Sequence, residues 1–337
     1  MMGTLYLKGQ SEQEDNLEGD VDVKLAPVSG ADNRRQLPRQ LFERKPLIFV
    51  AKFTLAITLI GVGWLAIGYQ LPWPVIVVAM LINGLMYAHL VELQHECLHG
   101  HAFRSSGLNR LFGVLCGIFM MSSHSHYRYD HLRHHAYLGT ATNSEHFDYR
   151  FQNLDSWLGF ARSFFDLSRY RRLARLSWLS LAWRPLPNID KRKYNRDIKQ
   201  EYLLNLAVLV ASIGYTIQSG SMLVALAWWI PTLLVAEGVH FMIEMPEHFG
   251  LNTQTDPNVL TNTRTIHTSK FFTWFVNGND LHTAHHYHHG VPMCNIHQLN
   301  DLIEPYTTTI ESSYLSFYRR VINGNICQSI DTSSMKR

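Results

Sequence analysis

The chain has 337 residues, 46% of them hydrophobic and only 17% charged, against about 25% charged in an average soluble domain. A mean hydropathy of -0.09 excludes a protein that is membrane span throughout, and a formal net charge of +3 gives no sign of a nucleic-acid partner. The four cysteines, Cys97, Cys116, Cys294 and Cys327, form no CxxC pair, which argues against a zinc knuckle or a built-in iron–sulfur cluster. Histidine is the anomaly, with nineteen in the chain.

Residues 1–45 mix Glu, Asp, Gly and Ser before turning basic at Arg34, Arg35, Arg39, Arg44 and Lys45. Without helical or strand periodicity they are expected to form a disordered cytoplasmic tail, and they lack the apolar core of a signal peptide. From Phe53 to Val91 there is no Asp, Glu, Lys or Arg. A span needs about 20 residues, so this run holds two, near 47–69 and 73–93, joined by a tight turn at Gln70-Leu71-Pro72-Trp73-Pro74. Leu111–Met121 is apolar but short and predicts a buried or re-entrant helix. Residues 154–183 interleave Trp157, Phe160, Phe164, Phe165 and Trp178 with Arg162, Arg169, Arg171, Arg172 and Arg175, the pattern of helix lying at a membrane interface. A second uncharged run, Leu203–Ala236, breaks near Gln218-Ser219-Gly220 and predicts spans near 203–218 and 222–243. Residues 306–337 are expected as a C-terminal cytoplasmic tail after a domain covering 46–305.

Basic residues orient the spans. Seven Lys or Arg lie in 1–45, sixteen in 94–200 and six in 245–337, with Lys52 inside the first span and none in either hairpin turn. Both turns should therefore face away from the cytoplasm. The fold expected is all-α and integral to the membrane: four transmembrane helices in two hairpins, with a cytoplasmic histidine-rich helical cap.

Three histidine clusters fall on that cytoplasmic side. His95 and His99 stand at i, i+4, one turn apart on one helix face, where a single ion can take both. His131, His134 and His135 form an HxxHH group; on a helix the last two diverge by about 100° and suit two different ions. His282, His285 and His286 repeat that spacing. One HxxxH pair is also how helices merely pack histidines, but eight clustered histidines exceed what one first-row metal takes. Two metals follow, and all-imidazole ligation suits iron, zinc, copper or nickel.

The order and placement of these clusters resemble the membrane fatty acid desaturase superfamily over roughly residues 46–305. So do the flanking segments: Phe103-Arg104-Ser105-Ser106-Gly107-Leu108-Asn109 after the first cluster, Glu247-His248-Phe249-Gly250 and Asn262-Thr263-Arg264-Thr265 before the third, and Val291-Pro292 and Leu299 after it. The resemblance implies two iron ions (Fe2+/Fe3+) and O2 as co-substrate. It carries eight metal ligands onto His95, His99, His131, His134, His135, His282, His285 and His286. A ninth falls on His248, at the end of an NxxxH pattern. The Asn of that pattern, which in the family supports an iron-bound water, is Glu244 here. A carboxylate four residues before His248 is expected to face the same ion, and Glu244 is the candidate catalytic residue. The usual proline after the third cluster is replaced, leaving His288-His289-Gly290, where both histidines read as supporting or packing groups. His89, His124, His126, His146, His240, His267 and His297 read as histidines satisfied by local partners.

The resemblance implies desaturation of a long acyl substrate carried on lipid, CoA or acyl carrier protein. Hydroxylation or acetylenation of a lipid, carotenoid or specialised metabolite is the alternative. Electrons must come from an external ferredoxin or cytochrome-type donor, since no haem-binding HPGG stretch is present. Region 94–200 has sixteen basic and eight acidic residues, an excess suited to an acidic donor, an acyl carrier protein or anionic membrane lipids. Two rivals remain. His95-Glu96-Cys97-Leu98-His99 satisfies the HExxH of a zinc protease, with Glu96 as general base, and a metal transporter would place its ligands at mid-membrane.

The orientation is directly testable. Single cysteines at Ser219, Ser144 and Ser333 in a background lacking the others should label from outside intact cells only at 219; external labelling at 144 overturns the topology.

Overall fold

The computed structural model describes residues 37–326, apart from 148, 150–153, 155 and 190; the expected N-terminal tail therefore lies largely outside the described residues, as does Cys327. The described chain is predominantly helical, and four helices are long and apolar enough to cross a membrane: Arg39–Gly68, Trp73–Leu98, Arg192–Ser219 and Ala225–His248. The first is α-helical as α1 (Pro46–Gly68), opened by proline at its first turn, where a missing N–H costs nothing. α2 (Trp73–Leu98) follows a Pro72 cap and carries a second such proline. The three later spans differ from the expected bounds: α2 continues beyond residue 93 through the first histidine cluster, the third span begins at Arg192, well before 203, and the fourth runs from Ala225 to His248 rather than 222–243. Their polar ends are helical because they pack on the cap.

Between the hairpins lie α3 (Ser106–Gly117), α4 (His124–Tyr137), α5 (Trp157–Phe164) and α6 (Arg169–Leu181), followed by the third span, α7 (Arg192–Ser219), and the fourth, α8 (Ala225–His248). The short apolar segment at 111–121 is thus mostly the end of α3, packed on α2, with Gln94 Nε2 donating to the Gly113 carbonyl at 2.8 Å. The interface segment forms two helices, α5 and α6. Arg171, Arg175, Trp178 and Leu181 make an exposed stripe along α6.

The spans are unequal. Over its most apolar stretch 56% of α2 is buried, as is 56% of α8, against 22% for the first span and 11% for α7. α2 and α8 form the inner pair. Their approach is close at Gly84, where a Cβ would meet Val235 Cβ at 2.4 Å and the Pro231 carbonyl at 2.9 Å. α8 contains two π-helical turns, Ala225–Trp229 and Thr232–Ala236, which displace backbone acceptors from their α-helical partners. The Ala227 carbonyl instead accepts from Tyr87 Oη at 2.6 Å and Asn83 Nδ2 at 3.0 Å, both on α2.

α4, which carries the second histidine cluster, is anchored at its N-terminus. Glu201 of α7 accepts from the Ser125 amide at 2.7 Å and from Ser123 Oγ at 2.8 Å, a carboxylate where free N–H groups and the helix dipole favour it. Beyond α8, a two-residue strand β1 (Thr265–Ile266) pairs in parallel with β2 (Ile310–Glu311), in register Thr265 to Ile310. The third cluster lies on α11 (His282–Tyr287), preceded by the short helices α9 (Val259–Asn262) and α10 (Lys270–Phe275) and followed by α12 (Ile296–Ile303). The segment expected to leave as a tail from 306 is folded as far as 326: on α13 (Tyr314–Ile322), Phe317, Tyr318 and Val321 bury against Phe241, Met245 and Phe249. Those three apolar side chains stand at helical spacing in an otherwise polar stretch.

One buried ion pair ties α6 to α8. Arg169 donates to both oxygens of Glu237, at 2.8 and 2.9 Å from Nε, and also bonds the Met120 carbonyl. Removing one partner of a buried pair strands the other, at about 3–5 kcal/mol. Arg169→Met should lower the thermal midpoint of the detergent-solubilised protein sharply, and Arg169→Met/Glu237→Leu should recover part of the loss; a double variant as unstable as the single one contradicts a stranded charge.

Candidate metal centre

Four elements converge beneath the inner spans: the end of α2 brings His95 and His99, α4 brings His131, His134 and His135, α8 ends on His248, and α11 brings His282, His285 and His286. Their ring nitrogens gather into two groups. In the first, nitrogens of His95, His99, His131 and His285 all lie within 4.8 Å of one another, and His135 Nε2 joins them at 2.9 Å from both His131 Nε2 and His285 Nε2. In the second, His134, His248, His282 and His286 do the same. The adjacent pairs His134–His135 and His285–His286 are thereby split between groups, as the divergence of neighbouring helical residues dictates.

The separations are those of donors on a shared ion. With metal–nitrogen bonds of about 2.1 Å, adjacent donors stand about 3.0–3.4 Å apart. Here the Nε2 separations are 2.9 Å for His95–His131, 3.1 Å for His134–His248 and His248–His282, and 3.3 Å for His134–His286. The opposite ring nitrogens are held as metal-bound imidazoles require: His248 Nδ1 donates to the Asn262 carbonyl at 3.0 Å and His134 Nδ1 to Asn143 Oδ1 at 2.9 Å. Burial, followed by neighbouring imidazoles, holds His131, His135, His282, His285 and His286 well below the ordinary histidine range. These rings are neutral at pH 7, with lone pairs available.

A small cleft lies between the groups, walled by His95, His131, His134 and His282 and by Tyr127, Glu145, His146, Glu244, Glu247 and Asn279. Glu244 stands at this wall, yet it is not among the grouped donors: its Oε1 lies 3.5 Å from His240 Nε2, one turn back on the same helix. Glu92 flanks His240 on the other side at 3.6 Å. Among the described residues, no Lys or Arg pairs with Glu92, Glu244 or Glu247. Three buried carboxylates without a cation are costly, and two divalent ions at the histidine groups would supply the missing charge. The residues fit a pair of metals.

The remaining histidines behave differently. His146 Nδ1 is 2.8 Å and His126 Nε2 is 3.3 Å from Asp130 Oδ2, and His126 Nδ1 meets Tyr202 Oη at 2.7 Å, a third and smaller grouping already satisfied by hydrogen bonds. His289 packs 4.9 Å from the His135 ring, and His288 lies edge-on to Phe42. His101, passed over in the sequence, is buried and stacked 5.2 Å from His99, with Nδ1 unpartnered among the described residues; its position two residues after His99 was the available signal. Glu96 accepts from Asn277 Nδ2 at 3.0 Å. A zinc protease needs that carboxylate at the metal-bound water, and Glu96 is not among the residues that wall the cleft.

Four membrane-length helices, with two histidine groups gathered where α2 and α8 end against α4 and α11, make this a membrane protein with a candidate two-metal site. The chain belongs to the fatty acid desaturase family, whose sequence model matches residues 71–318. It is also similar to a protein described as an omega-3 fatty acid desaturase, chloroplastic, from Glycine max, at 27% identity over 122 residues. That match takes in 35% of this chain and 26% of the relative, so the chain spans only about a quarter of the relative's length.

Metal analysis of purified protein tests the two groups. His135→Ala and His248→Ala should each lower bound metal from two ions toward one, with affinity weakened at least roughly 10–100-fold, whereas His146→Ala and His297→Ala should keep both ions. Full metal content in either of the first two variants removes that residue from the ligand set.

Proposed function

We propose that this protein is an O2-dependent di-iron oxidoreductase that desaturates a long acyl chain at an unactivated carbon. The observation that carries the reading is the split of nine imidazoles into two donor groups of five and four at one cleft. His95, His99, His131, His135 and His285 would hold one ion, and His134, His248, His282 and His286 the other. Two ferrous ions bound there would supply the reductive activation of dioxygen needed to remove hydrogen from an unactivated carbon.

The chain's own residues perform the rest. Acceptors on Nδ1 of His134 and His248 fix which nitrogen faces the cleft, a positioning effect that raises ligand basicity. Burial of both groups keeps bulk water from the site, and water exclusion protects reactive chemistry from side reactions. Glu244 Oε1 faces His240 Nε2, whose Nδ1 meets Tyr149 Oη at 2.8 Å. This line of polar groups runs along α8 from the cleft wall to Tyr149 and can hold a proton beside the reacting centre. Glu244 is our candidate catalytic residue on that ground. The polar lining of the cleft, with Glu145, Glu244 and Glu247, supports hydroxylation as a second reading.

The family and the relative's description support an acyl substrate, carried on lipid, CoA or acyl carrier protein. The asymmetry of basic residues supports a cytoplasmic location for the histidine groups and both termini, with hairpin turns outside. A ferredoxin or cytochrome-type donor would dock on the basic region between the hairpins. We take residues from 46 to at least 305 as the catalytic domain, with the folded segment to 326 packed onto it.

Aerobic turnover with a reducing system across a panel of acyl lipids, acyl-CoAs and acyl carrier conjugates, read by mass spectrometry, tests the proposal. Loss of two hydrogens is the expected product signature, and Glu244→Gln should change the rate or the alkene-to-alcohol ratio. Absence of any oxygen-dependent product across the panel, with two irons bound, defeats the acyl reading; unchanged rate and product ratio in Glu244→Gln removes that residue from the chemistry.

A further inference from the structure

Resting on the two-metal reading, we propose that Glu247 is a tenth ligand, a carboxylate oxygen completing the coordination of the ion held by His134, His248, His282 and His286. That group has one imidazole fewer than its neighbour. Glu247 precedes His248 at the end of α8, is buried, and lines the cleft. Its Oε2 lies 3.4 Å from His282 Nε2. His282 Nε2 is itself 3.1 Å from His248 Nε2, so the oxygen stands at donor-to-donor spacing from His282, at the edge of the four-histidine group. The other oxygen, Oε1, accepts from Asn279 Nδ2 at 2.7 Å, leaving Oε2 directed at the donors.

Asn279 is built to hold this arrangement. Its Nδ2 also donates to Glu92 Oε2 at 3.2 Å, and its Oδ1 lies 3.4 Å from His282 Nδ1. One amide therefore sets the tautomer of His282 and the rotamer of Glu247 while tying α2 to α8. It follows a turn whose Asn277 and Gly278 have φ of 52° and 88°. At Gly278 an added Cβ would also meet Ile296 Cγ2 at 2.9 Å, so the backbone leading to Asn279 is held in place. Charge points the same way. Two divalent ions in nine neutral imidazoles would leave four positive charges buried, and an anionic ligand lowers that cost where a neutral one cannot. An oxygen donor on one ion only would also make the two irons chemically unequal.

Iron stoichiometry and Mössbauer spectra of the reduced, iron-57-loaded full chain test the assignment. Wild type should bind two irons that give two distinct ferrous doublets. In Glu247→Gln the doublet of the four-histidine ion should shift while the other stays in place, and affinity for the second equivalent should fall at least tenfold. Glu247→Asp keeps the carboxylate on a shorter arm and should show a smaller shift of the same doublet, which covers the case in which the glutamine variant does not fold. Two irons with doublets unchanged in both variants overturn the ligand assignment and leave the two-metal reading standing. A shift confined to the five-histidine ion also overturns it. Wild type that binds fewer than two irons under saturating conditions sinks both.

Discussion

Nine imidazole nitrogens face one another at van der Waals range in a space with little room for water, and lone pairs so placed repel. Hydrogen bonding between rings relieves the strain only in part, because each neutral ring has one proton and that proton is drawn to an outward acceptor in His134 and His248. A pair of cations would resolve the conflict, and would favour the ionised form of the buried carboxyl groups of Glu92, Glu244 and Glu247 beside them. Metal binding at these groups would be coupled to the folding of this cap. Everything else in the molecule serves to bring these groups to one place from four separate helices.

The division of labour among the spans follows. α2 and α8 carry ligands at their ends, and those two are the buried pair; α1 and α7 meet the surroundings and leave Leu47, Val62, Val210 and Ile217 exposed. α7 nonetheless acts on the centre at one remove, because its Glu201 holds the start of α4. Lys52, unusual within a span, donates to Asn277 Oδ1 at 2.7 Å, and Asn277 in turn binds Glu96 between the two ligand positions of α2. Lys52 thus leads through Asn277 to Glu96 and the candidate metal centre.

Much of this was legible in the residues. Uncharged runs of sufficient length revealed four spans, and i, i+4 and HxxHH spacings identified eight of the grouped histidines and the separation of neighbours between two groups, while His248 came from the family resemblance. The inferred extents of α2 and α7 stopped short because charge marks where a helix leaves the apolar layer, not where it ends. Asn279, Glu92 and Glu247 were not singled out for their roles, since a lone polar residue has no period and its meaning depends on partners far along the chain. Phe317, Tyr318 and Val321 occur in a stretch of low average hydropathy, where composition hides three well-placed apolar side chains. Glu244 was identified by its departure from a family pattern; its carboxylate meets His240, which stands four residues before it as His248 stands four after, so helical spacing allowed either partner.

The two π turns of α8 have a consequence for how the site can vary. Each wide turn accommodates one residue more than an α turn, and one residue corresponds to about 100° of rotation. Together they turn the histidine-bearing half of α8 by about 200° relative to an unbroken helix laid along the same outer half. His240, Glu244, Glu247 and His248 face inward by virtue of that phase, while Gly84 and Tyr87 hold the outer half against α2. The azimuth of the catalytic end and the seating of the membrane end are thus separately adjustable. A single-residue insertion or deletion in this span would act as a rotary control on the candidate metal centre, re-aiming His248 and the carboxylates beside it with scarcely any change in the length of the helix.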